Sequence, residues 1–179
     1  MFSKGNTVLL VVDMQERLLP HIHEHELLLG KTTALIECCK TLDIPIMVTE
    51  QYPEGIGPTI PPVAQALGNC PKISKRTFSC CREPKFMEAL KVFDRKQVVL
   101  AGIETHVCIF QTAADLIHEG YAVQVISDAV GSRTPANKAI GMERMKTLGA
   151  DLSSLESAVF ELLETSACPE FKQVLRYLK

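Results

Sequence analysis

No stretch of this 179-residue chain approaches the roughly 20 consecutive apolar residues that a membrane-spanning helix needs. Its lysines and arginines form no stripe that could follow phosphates, and its acidic residues collect in no tail. The totals nearly cancel, at 19 basic against 21 acidic residues, so neither nucleic acid nor a membrane is expected as a partner. The opening Met1-Phe2-Ser3-Lys4-Gly5-Asn6 lacks the layout of a signal peptide. A cytoplasmic location is therefore expected, and the seven cysteines should be mostly reduced thiols. They form no CxxC pair. No linker, repeat or low-complexity tract divides the chain, so residues 1–179 are expected to fold as one domain with a substantial core.

What is present is an unbroken alternation of strand and helix patterns. Thr7-Val8-Leu9-Leu10-Val11-Val12 reads as a strand buried on both faces, as does the run Val98-Val99-Leu100-Ala101. Further strands are expected at Pro45–Thr49, Lys72–Lys75, Ala122–Ile126 and near Ala150–Leu152. Helices are expected at about Glu26–Leu42, Lys85–Phe93, Thr105–Glu119, Asn137–Leu148, Leu155–Leu163 and Pro169–Leu178. Gln51 to Pro62, rich in proline and glycine, reads as a long loop of the kind that often carries function. Such βα units predict a three-layer α/β/α sandwich with a mostly parallel, doubly wound sheet. Ligands bind such sheets at the carboxyl ends of the strands.

Three chemistry-bearing residues sit at those ends. Asp13 closes the first strand, Lys75 closes the third, and Cys108 follows the fourth in the first turn of a helix. Backbone N–H groups and the helix dipole stabilise an anion there, and such surroundings lower a thiol from about 8.5 to roughly 3.5–7.5. A depressed, reactive Cys108 is therefore expected. If strands one, three and four lie near the middle of the sheet, acid, ammonium and thiol share one crevice. Each residue also has a plainer reading, as the first solvated position after a strand or as a buried helix cysteine. Lys72 is an alternative to Lys75, but three residues along a strand it points to the other face. Cys38 and Cys39 read as small buried hydrophobes. Cys80 and Cys81, being adjacent, suit neither a disulfide nor a zinc site, and Cys70 and Cys168 sit beside prolines in loops.

Val11-Val12-Asp13-Met14-Gln15, Lys75 with Phe78-Ser79, Ala101-Gly102-Ile103-Glu104-Thr105-His106-Val107-Cys108, and Ser127-Asp128-Ala129-Val130-Gly131-Ser132-Arg133 together resemble the isochorismatase-like cysteine hydrolases over nearly the whole chain. The resemblance implies a catalytic triad of Asp13, Lys75 and Cys108. It implies a cis peptide between Ile103 and Glu104, and an oxyanion hole made by the backbone N–H groups of Glu104 and Cys108. True isochorismatases lack the cysteine, which argues against that reaction. Nicotinamidase-type members carry an Asp-x-His metal site after strand two, where this chain has Thr49-Glu50-Gln51-Tyr52-Pro53 without histidine. No metal and no cofactor is therefore expected. Similarity to small isochorismatase-domain proteins also points to a homo-oligomer, as does the broad apolar surface of Val107, Ile109, Phe110, Ala113, Ala114, Leu116 and Ile117.

Other constellations are weaker. His21, His23 and His25 follow Pro20 in a loop and read as surface histidines. His106, two residues before Cys108, does not face it on a helix. Gly55-Ile56-Gly57 matches no phosphate-binding fingerprint, and Asp128 and Arg133 read chiefly as loop ties. Two functions remain. One is a hydrolase that cleaves a small amide or imide through a Cys108 thioester, with Gln51, Tyr52, Phe78 and Ile103 lining a pocket for a small-molecule substrate. The other is a catalytically degenerate, oligomeric interaction protein on the same fold. A redox-sensing thiol would need a resolving cysteine, which the sequence does not place near Cys108.

Overall fold

The computed structural model describes residues 1–179. Six strands, β1 (Thr7–Val12), β2 (Ile46–Gln51), β3 (Lys72–Lys75), β4 (Gln97–Ile103), β5 (Ala122–Gly131) and β6 (Asp151–Ser153), form one sheet in the order β3-β2-β1-β4-β5-β6. Every pairing is parallel. Between them run α1 (His25–Thr41), α2 (Pro53–Ile56), α3 (Pro61–Leu67), α4 (Pro84–Val92), α5 (Phe110–His118) and α6 (Pro135–Thr147), with α7 (Leu155–Leu163) and α8 (Phe171–Val174) at the end.

The alternation along the central strands sorts their side chains into two cores. Leu9, Val11, Val99, Ala101 and Ile103 pack with residues of α1, α3, α7 and α8. Val8, Leu10, Val12, Val98 and Leu100 face the other way, toward α4, α5 and α6. All six residues of β1 are buried, as the continuous apolar run predicts for a strand covered on both faces. The expected three-layer α/β/α sandwich is thus present, and the sheet is wholly parallel. No helix is long and apolar enough to cross a membrane.

Four expectations need correction. The Gln51–Pro62 segment is not simply a loop, because Pro53 and Pro61 sit in the first turns of α2 and α3, where a missing N–H costs nothing. The helix expected over Pro169–Leu178 shrinks to Phe171–Val174. β5 continues to Gly131, since pairing with β4 is interrupted opposite Leu100–Gly102, where β5 carries extra residues, and resumes at Val130. The apolar surface expected on α5 is also largely spent within the chain. Ile109, Ala113 and Leu116 are core residues, and the Arg144 guanidinium lies 3.8 Å from the Phe110 ring centre.

Two glycines set the layout near the strand ends. Gly102 has φ +115°, and a Cβ there would collide with the Val12 backbone. Gly141 on α6 would place a Cβ 2.9 Å from the backbone of His106, so only glycine lets α6 press against the turn that carries Cys108.

Candidate active site

β1 ends on Val12, and the chain then turns through Asp13 at φ +53°, a left-handed conformation rare for a residue with a side chain. The Asp13 N–H still donates to the Thr49 carbonyl (3.1 Å). Its fully buried carboxylate accepts from two side chains. The Thr49 hydroxyl donates to Oδ1 at 2.8 Å, and the Lys75 ammonium donates to Oδ2 at 2.7 Å.

β3 is the edge strand, so Lys75 does not come from the middle of the sheet as the convergence argument assumed. It gets to Asp13 by crossing the end of β2, whose Gln51 is its register partner. The ammonium is 2.7–3.2 Å from four acceptors, which are Asp13 Oδ2, Gln51 Oε1 and the carbonyls of Thr77 and Phe78. It has only three protons, so all are committed. Burial works against the Lys75 charge, but the Asp13 carboxylate beside it prevails and raises the Lys75 pKa. Lys72 is exposed at the far end of the strand, as the spacing argument expected.

Cys108 lies in a π-helical turn, Thr105–Ile109, that precedes α5. It is only 7% exposed, in the core formed with α4, α5 and α6. The expectation of a depressed thiol is overturned. Burial, followed by the negative charge of Asp13, pushes the Cys108 pKa up, and Lys75 only partly opposes them. Desolvation penalises a thiolate more than the turn and the ammonium favour it. The resting residue is therefore a thiol facing a carboxylate.

Glu104, four residues earlier, is the hinge between β4 and this turn. The Ile103–Glu104 peptide is cis, as the resemblance implied. The Glu104 carbonyl accepts from the N–H groups of Val107 (3.1 Å) and Ile109 (3.2 Å), while its own N–H donates to no protein acceptor. Its carboxylate is held by Arg133, Nη2 to Oε1 at 2.7 Å and Nε to Oε2 at 3.1 Å, with the Arg133 backbone N–H also on Oε2 at 3.1 Å. Although burial opposes ionisation, these contacts hold the Glu104 pKa below its ordinary value.

The expected pocket residues separate. Tyr52 and Phe78 are exposed around the Lys75 end of the site. Gln51 is a partner of Lys75 more than a wall, since its Nε2 also donates to the Arg76 carbonyl (2.9 Å). Ile103 is fully buried on the opposite face of the sheet from Cys108, so its side chain cannot line a pocket at the thiol. A cleft of about 500 Å³ opens beside Glu104, bounded by Leu18, His21, Ile22, Arg133 and Thr134.

Other residues fall as the sequence suggested. His106 pairs with Ser132 (Nδ1 to Oγ, 3.0 Å), His21 and His23 are exposed, and Asp128 caps α7 by accepting the Leu155 N–H at 2.7 Å. Sequence reasoning missed Thr49 and Gln15. Gln15 is wholly buried, and it fixes Gln51 by accepting its N–H (2.7 Å) and donating to its carbonyl (2.9 Å). The position of Gln15 two residues past Asp13 was the available signal for it. It also missed Cys80, whose sulfur lies 3.7 Å from the Thr49 hydroxyl.

A parallel sheet with a thiol, a carboxylate and an ammonium at its carboxyl ends defines a hydrolase-like α/β protein. Residues 7–157 match the isochorismatase domain model. The chain belongs to the isochorismatase-domain family. It is 36% identical over 175 residues to the isochorismatase domain-containing protein 2A of Mus musculus, covering 97% of this chain and 83% of the mouse protein. Among solved structures, MAR1 ribonuclease from Caenorhabditis elegans superposes with a TM-score of 0.94 at 35% identity, over 99% of this chain and 91% of the nematode chain. The Escherichia coli YcaC gene product, described as an octameric hydrolase of unknown specificity, does so with a TM-score of 0.89 at 25% identity, over 99% of this chain and 86% of its own.

Proposed function

We propose that the protein is a cysteine hydrolase that opens a small amide or imide C–N bond through a thioester on Cys108. The observation that carries this is the Asp13–Lys75 pair, buried from solvent and facing a largely buried thiol. In this reading Asp13 takes the Cys108 proton as sulfur attacks the carbonyl, so a raised thiol pKa is no obstacle. The N–H groups of Glu104 and Cys108 receive the oxyanion. Asp13 then gives its proton to the leaving nitrogen, the C–N bond breaks, and an amine departs. Water, deprotonated by the same carboxylate, attacks the thioester; the C–S bond breaks, Asp13 returns the proton to the departing Cys108 sulfur, and the acid leaves. Lys75 has no proton free for the substrate; it holds the Asp13 carboxylate in place beside the thiol.

The cations nearby do not favour a polynucleotide, although the nematode neighbour is called a ribonuclease. Arg133 is paired with Glu104 and Arg82 with Asp115, while Arg76 stacks 3.5 Å from the Tyr52 ring centre. Phosphate binding needs uncommitted lysines and arginines. With Cys108 only 7% exposed, the site suits a compact substrate better than a peptide. No step in this scheme calls on a metal.

Intact-mass spectrometry during incubation with a panel of small amides and imides is expected to show an acyl adduct on Cys108, absent from Cys108→Ser. Turnover of any panel member by the serine variant at the wild-type rate would sink the thioester route. The protein is also expected to be a homo-oligomer, in keeping with the octameric YcaC. Light scattering at micromolar concentration should give a mass of at least two chains, whereas a mass near 19.8 kDa would mean a monomer.

A further inference from the structure

Arg133 lies outside the triad, and 61% of its side chain is exposed, so it looks at first like a surface residue. Its contacts say otherwise. It meets the nearly buried Glu104 carboxylate, 10% exposed, with three donors, two from the guanidinium and one from its own backbone. Planar bidentate pairing of this kind fixes direction as well as distance. The other end of Glu104 is fixed too, by the N–H groups of Val107 and Ile109 on its carbonyl. Pinned through both its side chain and its carbonyl, Glu104 has little freedom to turn its one uncommitted group, the backbone N–H.

We propose that Arg133 is a positioning residue for the oxyanion hole: by clamping the Glu104 carboxylate it aims the Glu104 N–H at the carbonyl oxygen of the substrate. The role rests on the thioester reading given above. It acts only on steps that build negative charge on oxygen, and this separates it from the base and from the thiol.

Two reagents read the difference on the intact protein. Iodoacetamide alkylates a thiol by displacement at carbon and needs no oxyanion hole. p-Nitrophenyl acetate acylates the same sulfur through a tetrahedral oxyanion. Both rates are followed at Cys108 by peptide mass mapping, with Cys108→Ser as the blank. In Arg133→Met the acylation rate is expected to fall about tenfold or more, up to the roughly 10²–10³-fold that loss of a whole oxyanion donor costs. Alkylation should change by less than about twofold, because desolvation and charge at the sulfur, which set its reactivity, are left in place. Arg133→Lys keeps the charge but cannot span both oxygens, so it should fall between. Glu104→Gln, which leaves no unpaired carboxylate if Arg133→Met folds poorly, should show the same selective loss in weaker form.

A parallel fall in both rates would mean that Arg133 is merely structural, and no fall in either would also overturn the proposal. Wild-type protein that alkylates at Cys108 but does not acylate would instead remove the oxyanion hole itself. Wild-type protein that does neither would remove the nucleophile, and with it the proposed function.

Discussion

Asp13→Asn is expected to lower single-turnover acylation of Cys108 by about 10²–10⁴-fold, the range for losing a positioned general base. The substitution keeps the shape. The amide oxygen can still accept from Lys75, and the Thr49 hydroxyl, which both donates and accepts, can turn to receive the new N–H. What is lost is the only group facing the thiol that can take its proton. Because burial holds the Cys108 thiol well above its ordinary value, the variant must wait for hydroxide, and its residual rate should climb with pH throughout the alkaline range. The wild-type rate should show no such dependence on the thiol's own ionisation. An Asp13→Asn variant that acylates at close to the wild-type rate would mean that the crevice serves binding and not this chemistry.

Lys75→Met should cost stability as well as activity. Both side chains of the Asp13–Lys75 pair are fully buried, so deleting the ammonium strands a carboxylate in the interior. Breaking a buried pair in this way typically costs about 3–5 kcal/mol. Gln51 Oε1 and the carbonyls of Thr77 and Phe78 lose their donor as well. Denaturant midpoints at constant m-value measure the loss, and adding Asp13→Asn to Lys75→Met should restore part of it. In the folded protein the Lys75 pKa lies above its ordinary 10.5. The contribution is therefore complete below about that pH and is lost only as the pH climbs through the folded-state value. A cost under about 1 kcal/mol near neutral pH would contradict the buried-pair account.

The strands that hold Asp13 and Cys108 were legible because a strand covered on both faces must be apolar throughout, and the first charged residue then marks its end. Lys75 was legible for a weaker reason. Its strand is short and lies at the edge, and only the structure shows the side chain crossing β2 to find its partner. Thr49 could not be singled out, since a threonine within Ile46–Gln51 is an ordinary strand residue until Asp13 is placed beside it. The Cys108 thiol was misjudged because sequence displays the turn and the nearby cation but not the depth of burial, and burial prevails. Arg133 read as a loop tie. The carboxylate it ties belongs to Glu104, 29 residues away in the chain.

Lys75 carries one further consequence. β3 is four residues long, and its outer edge has no neighbouring strand; the contact from its last residue to Asp13 straps this margin to the centre of the sheet. In many enzymes the working residues are strained, so losing them frees stability, and an inactive lineage drifts toward sturdier sequences. Here the two pressures run together. A descendant that abandoned the chemistry would still be selected to keep its lysine, so survival of Lys75 among relatives is a poor witness to activity, and the fate of Cys108 is a better one.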